Sequence, residues 1–322
     1  MMFAAASAIA GALWFYFSHG FEQVPVAGRP ERLGVQRLSA PEIPFVGAGQ
    51  VSLAHPARAG GSGVRGSYAL AVLASDPYLY FRMRGTGGIV EDVSGNARHG
   101  VMQSQTSVGE GKAFSELRQA RAFDRESRFV TTGSALSELP RKLRAGFTFE
   151  AIVRSTARKS ESGALFAALN GLDMGVGDQT ALQVTIREQP WHYLRLHVRD
   201  SEGSSASAYL EARDGEAGVV DLFDGLPHHV IAIYDGSEFP TTTSFQIVLD
   251  GQVQPMKLHM EGPPDGLNHF SDFTPDRPRF GAAGRNEPKL FFAGSLEEIA
   301  IYNRALGEGE VKAHYDEFLR WR

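Results

Sequence analysis

Two carboxylates flanking a glycosidic bond are the commonest machinery for hydrolysing a sugar, and the chain of 322 residues holds 37 Asp and Glu from which to draw them. A retaining pair must stand about 5 Å apart, which on a strand requires an even spacing. Glu297 and Glu298 are adjacent and so point to opposite faces, and Glu150 stands alone on its strand. Nucleophilic catalysis finds no support either: there is no Cys and no Gly-x-Ser-x-Gly elbow. Gly85, Gly87 and Gly88 lack the strand-to-helix setting of a dinucleotide loop and read as a turn. His192 and His197 lie an odd number apart, and His228 and His229 are neighbours, so neither pair offers two ligands on one strand face. A zinc site is therefore not expected, and the chain is read as a non-enzyme.

Binding chemistry has a better candidate. Sugar stacking needs an aromatic platform with hydrogen-bonding groups beside it. Of three tryptophans, Trp14 lies in an apolar N-terminal run, Trp321 at the C-terminus and Trp191 in the middle. Trp191 and Tyr193 form the candidate platform, with Arg195 and Arg199 extending from the same segment. Such a cluster also occurs as a strand edge packed into a core.

The elements that would position these residues read as strands. Phe147, Phe149, Ala151 and Val153 alternate with Thr148, Glu150, Ile152 and Arg154, the pattern of a strand with one face inward. Phe245, Ile247 and Leu249 repeat it before Asp250-Gly251, a favoured hairpin turn. Val230 to Tyr234 is apolar on both faces, as in a central strand between layers. Further turn signals stand at Ser94-Gly95-Asn96, Asn170-Gly171 and Asp235-Gly236. Helical spacing is confined to Val311, Tyr315, Phe318 and Leu319, a short amphipathic helix over 307–322. The fold class is all-β, two stacked antiparallel sheets.

Five motifs in fixed order sharpen this: Tyr80–Met83 with Glu91–Gly100, then Phe147–Arg154, Pro227–Gly236, Val248–Gly251 and Gly294–Leu306. In that order they resemble the laminin G-like, concanavalin A-like family over about residues 68–318. The resemblance implies a jelly-roll sandwich. Its glucanase members imply an acidic pair on one strand, but no Glu-x-Asp-x-x-Glu arrangement occurs. It also implies a calcium site, carried onto Asp92 and Asn96 of the turn and Glu297 of the last strand. The family commonly has Asp where Glu297 stands, which moves the carboxylate by about a bond length. Hard cations favour such carboxylate and carbonyl oxygens; Asn96 equally serves as a turn residue tolerant of positive φ.

Ahead of the sandwich, Met1 to Phe21 carries no Asp, Glu, Lys or Arg. Some 20 helical residues at about 1.5 Å each span about 30 Å, the thickness of a bilayer core. With no basic residue before it and a poor cleavage site after it, the segment reads as an uncleaved transmembrane anchor rather than a signal peptide. Residues 22–66 follow as an extended arm with five prolines and eight glycines. Residues 67–306 form the sandwich. Arg29, Arg32 and Arg37 after the span favour a cytoplasmic domain, whereas the family resemblance implies an extracytoplasmic one, periplasmic or at the cell surface, and is followed. With five arginines and three glutamates in the first 66 residues, the remainder carries close to −7. An acidic domain without a basic stripe excludes nucleic acid as a partner.

Two functions fit this reading, and the first is preferred. In the first, the chain is a non-catalytic accessory subunit of a membrane complex, its anchor in the lipid bilayer and its arm and sandwich against other subunits. The uncleaved anchor and long arm favour it. In the second, the sandwich is a surface-displayed carbohydrate- or protein-binding module, with calcium as a candidate cofactor. The family resemblance favours that one.

Overall fold

Alternation of apolar residues over short, turn-bounded runs produces sixteen strands among the described residues, numbered here in chain order. The computed structural model describes residues 67–84, 88–104, 121–124, 128–132, 136, 139–155, 163–169, 181–188, 192–200, 204–210, 220–261, 266–267, 278–283 and 290–321. The anchor and arm expected over 1–66 lie outside these residues. No helix among the described residues is long and apolar enough to cross a membrane.

One sheet has seven strands: β1 (Leu79–Phe81), β16 (Ala293–Tyr302), β6 (Phe147–Ser155), β11 (His228–Tyr234), β12 (Phe245–Leu249) and β13 (Gln252–Val253) in that order, with β4 (Arg121–Asp124) also on β16. The other has nine: β14 (Lys257–Glu261), β10 (Ser205–Tyr209), β9 (His192–Arg199), β8 (Ala181–Glu188), β7 (Gly163–Leu169), β15 (Arg279–Phe280), β5 (Arg128–Thr131), β3 (Gly100–Ser104) and β2 (Ile89–Val90). The pairings are antiparallel, as the sequence implies. Inward residues of both sheets, among them Phe149, Val230, Ile247, Val184, Leu196 and Phe280, make one buried core. The Phe166 ring meets Phe280 at 5.0 Å and the Phe147 ring at 6.0 Å, bridging the layers.

A third layer departs from the expectation. β6 is not buried on one face only: Thr148, Glu150 and Ile152 are buried as fully as Phe149 and Ala151. The cause is a pair of helices on the outer face of the seven-stranded sheet, α1 (Ser67–Ala74) and α2 (Glu308–Trp321). Tyr68, Val72, Val311 and Phe318 from the helices pack there against Ile152, Ile231, Ile233 and Val248. The C-terminal helix follows its spacing and docks on the sandwich. α1 was not expected, because its sequence SYALAVLA has no polar stripe to reveal a helical period.

β16 contains the bulge on which this layer depends. Glu297 pairs with Ile152 and Ala300 with Glu150, so Glu298 and Ile299 together oppose one residue. Leu296 faces the core, and strict alternation would send Glu298 after it. With Glu298 at φ 50° the phase shifts by one, and Ile299 and Ile301 enter the core instead.

Candidate functional site on the larger sheet

Inward Leu194, Leu196 and Val198 of β9 leave Arg195, His197 and Arg199 on the outer face of the larger sheet. Pairing carries this row sideways. Arg195 sits between Thr185 and Tyr209, His197 between Gln183 and Ser207, and Arg199 beside Ser205. The next strand adds Lys257, His259 and Glu261 in the same rows. In the other direction the His197 row runs through Gln183 and Ala167 to Arg279, whose guanidinium lies 5.5 Å over the Phe129 ring. No described helix covers this face.

Cations predominate among the described residues of these rows. Arg195, His197 and Arg199 are half-buried, and the Arg199 Nε is buried with no hydrogen-bond partner. His197 Nδ1 lies 2.8 Å from Ser207 Oγ. Burial, then the charges of Arg195 and Arg199, push the His197 imidazole down to about 3, so it is neutral at physiological pH. Among the described residues the matching rows hold one carboxylate, Glu261, engaged with His259 at 2.9 Å. A neutral imidazole between two guanidiniums, beside hydroxyl and amide side chains, can accept a carboxylate or sulfate through paired N–H donors.

Of the platform named from the sequence, Arg195 is on this face, Tyr193 is described only as β9 backbone opposite Arg187, and Trp191 lies outside the described residues. His197 and the Ser207, Tyr209 and Gln183 neighbours were missed. Alternation within His192–Arg199 would have grouped His197 with the arginines, but the partners come from β8 and β10, which no spacing reveals.

The calcium residues are placed differently. The Asp92 Oδ1 accepts from the backbone N–H of Tyr80 (2.9 Å) and Ser94 (3.0 Å), and its Oδ2 from that of Arg98 (2.8 Å). Asn96 Nδ2 donates to the carbonyls of Pro77 and Tyr78, each at 3.2 Å. These groups hold the turn against β1, and an ion would have to share oxygens already accepting backbone hydrogen bonds. Glu297 is half-buried on β16 at the start of the bulge. Among the described residues no group of three or more His, Asp or Glu could hold a metal ion.

A second polar cluster lies under the helices. Glu150, fully buried, accepts from Tyr68 Oη (2.8 Å) and Tyr302 Oη (3.0 Å) and faces His229 Nε2 (2.8 Å) and His314 Nδ1 (3.0 Å). Burial would raise its carboxyl, but the His314 charge and the hydrogen bonds of both histidines hold it well below the usual range. Beside it Glu298 takes Tyr80 Oη, Arg82 Nη2 at 3.1 Å and Arg84 Nη2 at 2.9 Å. His228 points the other way, as adjacency on a strand requires, and is bracketed by Asp224 and Asp250, each at 2.9 Å. Burial lowers its pKa, yet the two carboxylates outweigh this and raise it.

No family model matches the chain, and no curated protein matches it. Among solved structures it is similar to the receptor-binding domain of botulinum neurotoxin type G, at 13% identity and a TM-score of 0.49 over 75% of this chain and 51% of that one. It is also similar to Trypanosoma rangeli sialidase in complex with sialic acid, at 14% and 0.44 over 74% and 32%. A third likeness is to the Ruminococcus gnavus IT-sialidase CBM40, at 14% and 0.41 over 66% and 97%. The chain thus spans about half of the first protein and a third of the second. At these scores the likenesses decide neither the fold nor a ligand.

Proposed function

We propose that the chain is a non-catalytic, lectin-like binding module on a laminin G-like, concanavalin A-like jelly roll, displayed outside the cytoplasm. Its larger sheet offers the outer face to an acidic oligosaccharide, one bearing carboxylate or sulfate groups. The observation that carries this reading is the row Arg195, His197 and Arg199: two guanidiniums about a neutral imidazole, in a domain whose overall charge is negative. Cations gathered on one face against that background supply a local attraction for anions. The planar forks give it direction, and Ser207, Tyr209 and Gln183 add hydrogen-bonding groups for hydroxyls. The accessory-subunit reading rests on residues 1–66, outside those described, and gains no support from the sandwich.

The test is a titration of a uronate- or sulfate-bearing oligosaccharide against its neutral counterpart, followed by NMR of the His197 ring. The acidic sugar should bind in a salt-sensitive manner and raise His197 from about 3, because a bound anion favours the charged imidazole. Equal binding of the neutral sugar, or no response at His197, would overturn the assignment.

A further inference from the structure

The helical layer carries a separate inference, independent of the ligand face. His314 on α2 has an acceptor at each ring nitrogen. Its Nδ1 lies 3.0 and 3.1 Å from the two Glu150 carboxylate oxygens. Its Nε2 lies 3.1 Å from the Ala71 carbonyl oxygen in α1, and 3.0 Å from Ser75 Oγ. A carboxylate and a carbonyl only accept, so both contacts are hydrogen bonds only when both nitrogens carry hydrogen. A neutral ring must turn one lone pair on an acceptor. Placed at Nε2, that lone pair could take the Ser75 hydroxyl but would deprive the Ala71 carbonyl of its donor. Placed at Nδ1, it would face the Glu150 charge.

We propose that His314 is a proton-held latch: its imidazolium ties Glu150 of the sheet to the Ala71 carbonyl of α1, and loss of the proton releases α1 and α2 together. Release would uncover Ile152, Ile231, Ile233 and Val248, and would loosen the point where the preceding 66 residues join the sandwich. Burial lowers the His314 pKa, and the Glu150 charge and hydrogen bond, with Glu310 beyond, more than reverse this and raise it.

The groups around His314 isolate its signal. Glu150 faces it from β6, Tyr302 from β16, and Tyr68 and Ser75 from α1. On its own helix Glu310 is tied to Arg304 at 2.6 Å. His229 from β11 reaches Glu150 through Nε2, and its Nδ1 has no hydrogen-bond partner. Between pH 7 and 9 both carboxyls are ionised whether the layer is closed or open, and the tyrosines, raised by burial and by Glu150, keep their protons.

Amide hydrogen exchange of the full chain across that range, corrected for intrinsic rates, is the test. Protection in 67–74 and 308–321 should fall by up to about tenfold per pH unit between 6.5, where the open state gives up its proton, and the raised value of the closed state, and level off above that, while β6 and β11 hold theirs. In His314→Gln the helices should exchange faster at pH 7 and show no such slope. Glu310→Gln should keep the slope, and it decides the matter with the wild type if the glutamine variant fails to fold. Helix protection that is flat with pH, that falls in step with the strands, or that keeps its slope in His314→Gln would overturn the latch.

Discussion

On the outer face of the smaller sheet, Glu150 gathers two tyrosines and two histidines around one carboxylate, and α1 and α2 close over the group. On the outer face of the larger sheet, Arg195 and Arg199 flank His197, Arg199 Nε finds no partner, and no described helix lies above. Both faces hold charge within one sandwich. The first matches each acid with cations of its own chain, Glu150 with His314 and Glu298 with Arg82 and Arg84. Among the described residues, the second gathers guanidiniums in rows whose one acid is Glu261. A network saturated from within has nothing left to offer a ligand and serves to specify packing. A face of concentrated single-sign charge is where an outside partner of opposite sign gains most.

The comparison breaks most visibly at its closed end. Glu150→Gln leaves the His314 imidazolium buried without its counter-charge, and about 3–5 kcal/mol of stability should be lost. Arg199→Ala on the larger sheet, which breaks no described ion pair, should cost less, within about 1 kcal/mol. Urea unfolding of the two variants checks this, and similar losses would deny that the faces differ.

Next in size is Gly251. Its φ is +74°, and an added Cβ would stand 2.3 Å from the Tyr315 ring of α2, which sits over the Asp250-Gly251 turn. Gly251→Ala should therefore cost about 1–3 kcal/mol through backbone strain. Hydrogen exchange should place the loosening in α2 and the β12–β13 hairpin, leaving the larger sheet unchanged.

The pH dependence follows from the closed network. His314 is raised in the folded protein, so its contribution is complete below the ordinary histidine value of 6.5 and is lost as pH rises through the folded value. Glu150 is lowered, so its contribution holds above 4.5 and is lost only as pH falls through a folded value well below the carboxylate range. Stability should accordingly decline by up to about 1.4 kcal/mol per pH unit from 6.5 up to the raised folded value of His314, and level off above it. Thermal unfolding from pH 6 to 9 checks the sign. A rise in stability over that range would contradict it.

The strands that build both faces were readable because their signal is local. Phe147–Arg154 alternates, Val230–Tyr234 is apolar throughout, and Asp250-Gly251 marks its hairpin with positive φ at both residues. The Glu150 cluster was not, because its partners lie 79 to 164 residues away in the chain. A lone acid on a strand whose neighbours are apolar on both sides was the one local sign of a buried ion pair. Arg195 was selected beside Trp191 and Tyr193 as part of a stacking platform, of which Trp191 lies outside the described residues; the described geometry adds His197 between Arg195 and Arg199 at alternate positions.

The smallest expected effect concerns calcium. Both Asp92 carboxylate oxygens already accept backbone N–H groups of β1 and the turn, and the Asn96 amide nitrogen donates to the carbonyls of Pro77 and Tyr78. Millimolar calcium added to chelator-treated protein should move Tm by less than about 1 °C, since only a ligand well above its Kd stabilises measurably. A larger upward shift, lost in Asp92→Asn, would restore the site that the family resemblance implies.

The most direct measurement deletes one cation from each face and titrates both variants with the same acidic oligosaccharide. Arg199→Ala should weaken binding by about tenfold or more, the loss of one charged hydrogen-bonding group. Arg84→Ala, which removes a half-exposed cation paired with Glu298 on the closed face, should leave affinity unchanged. Equal losses in the two variants, or a loss in Arg84→Ala alone, would contradict the assignment of the larger sheet as the binding face.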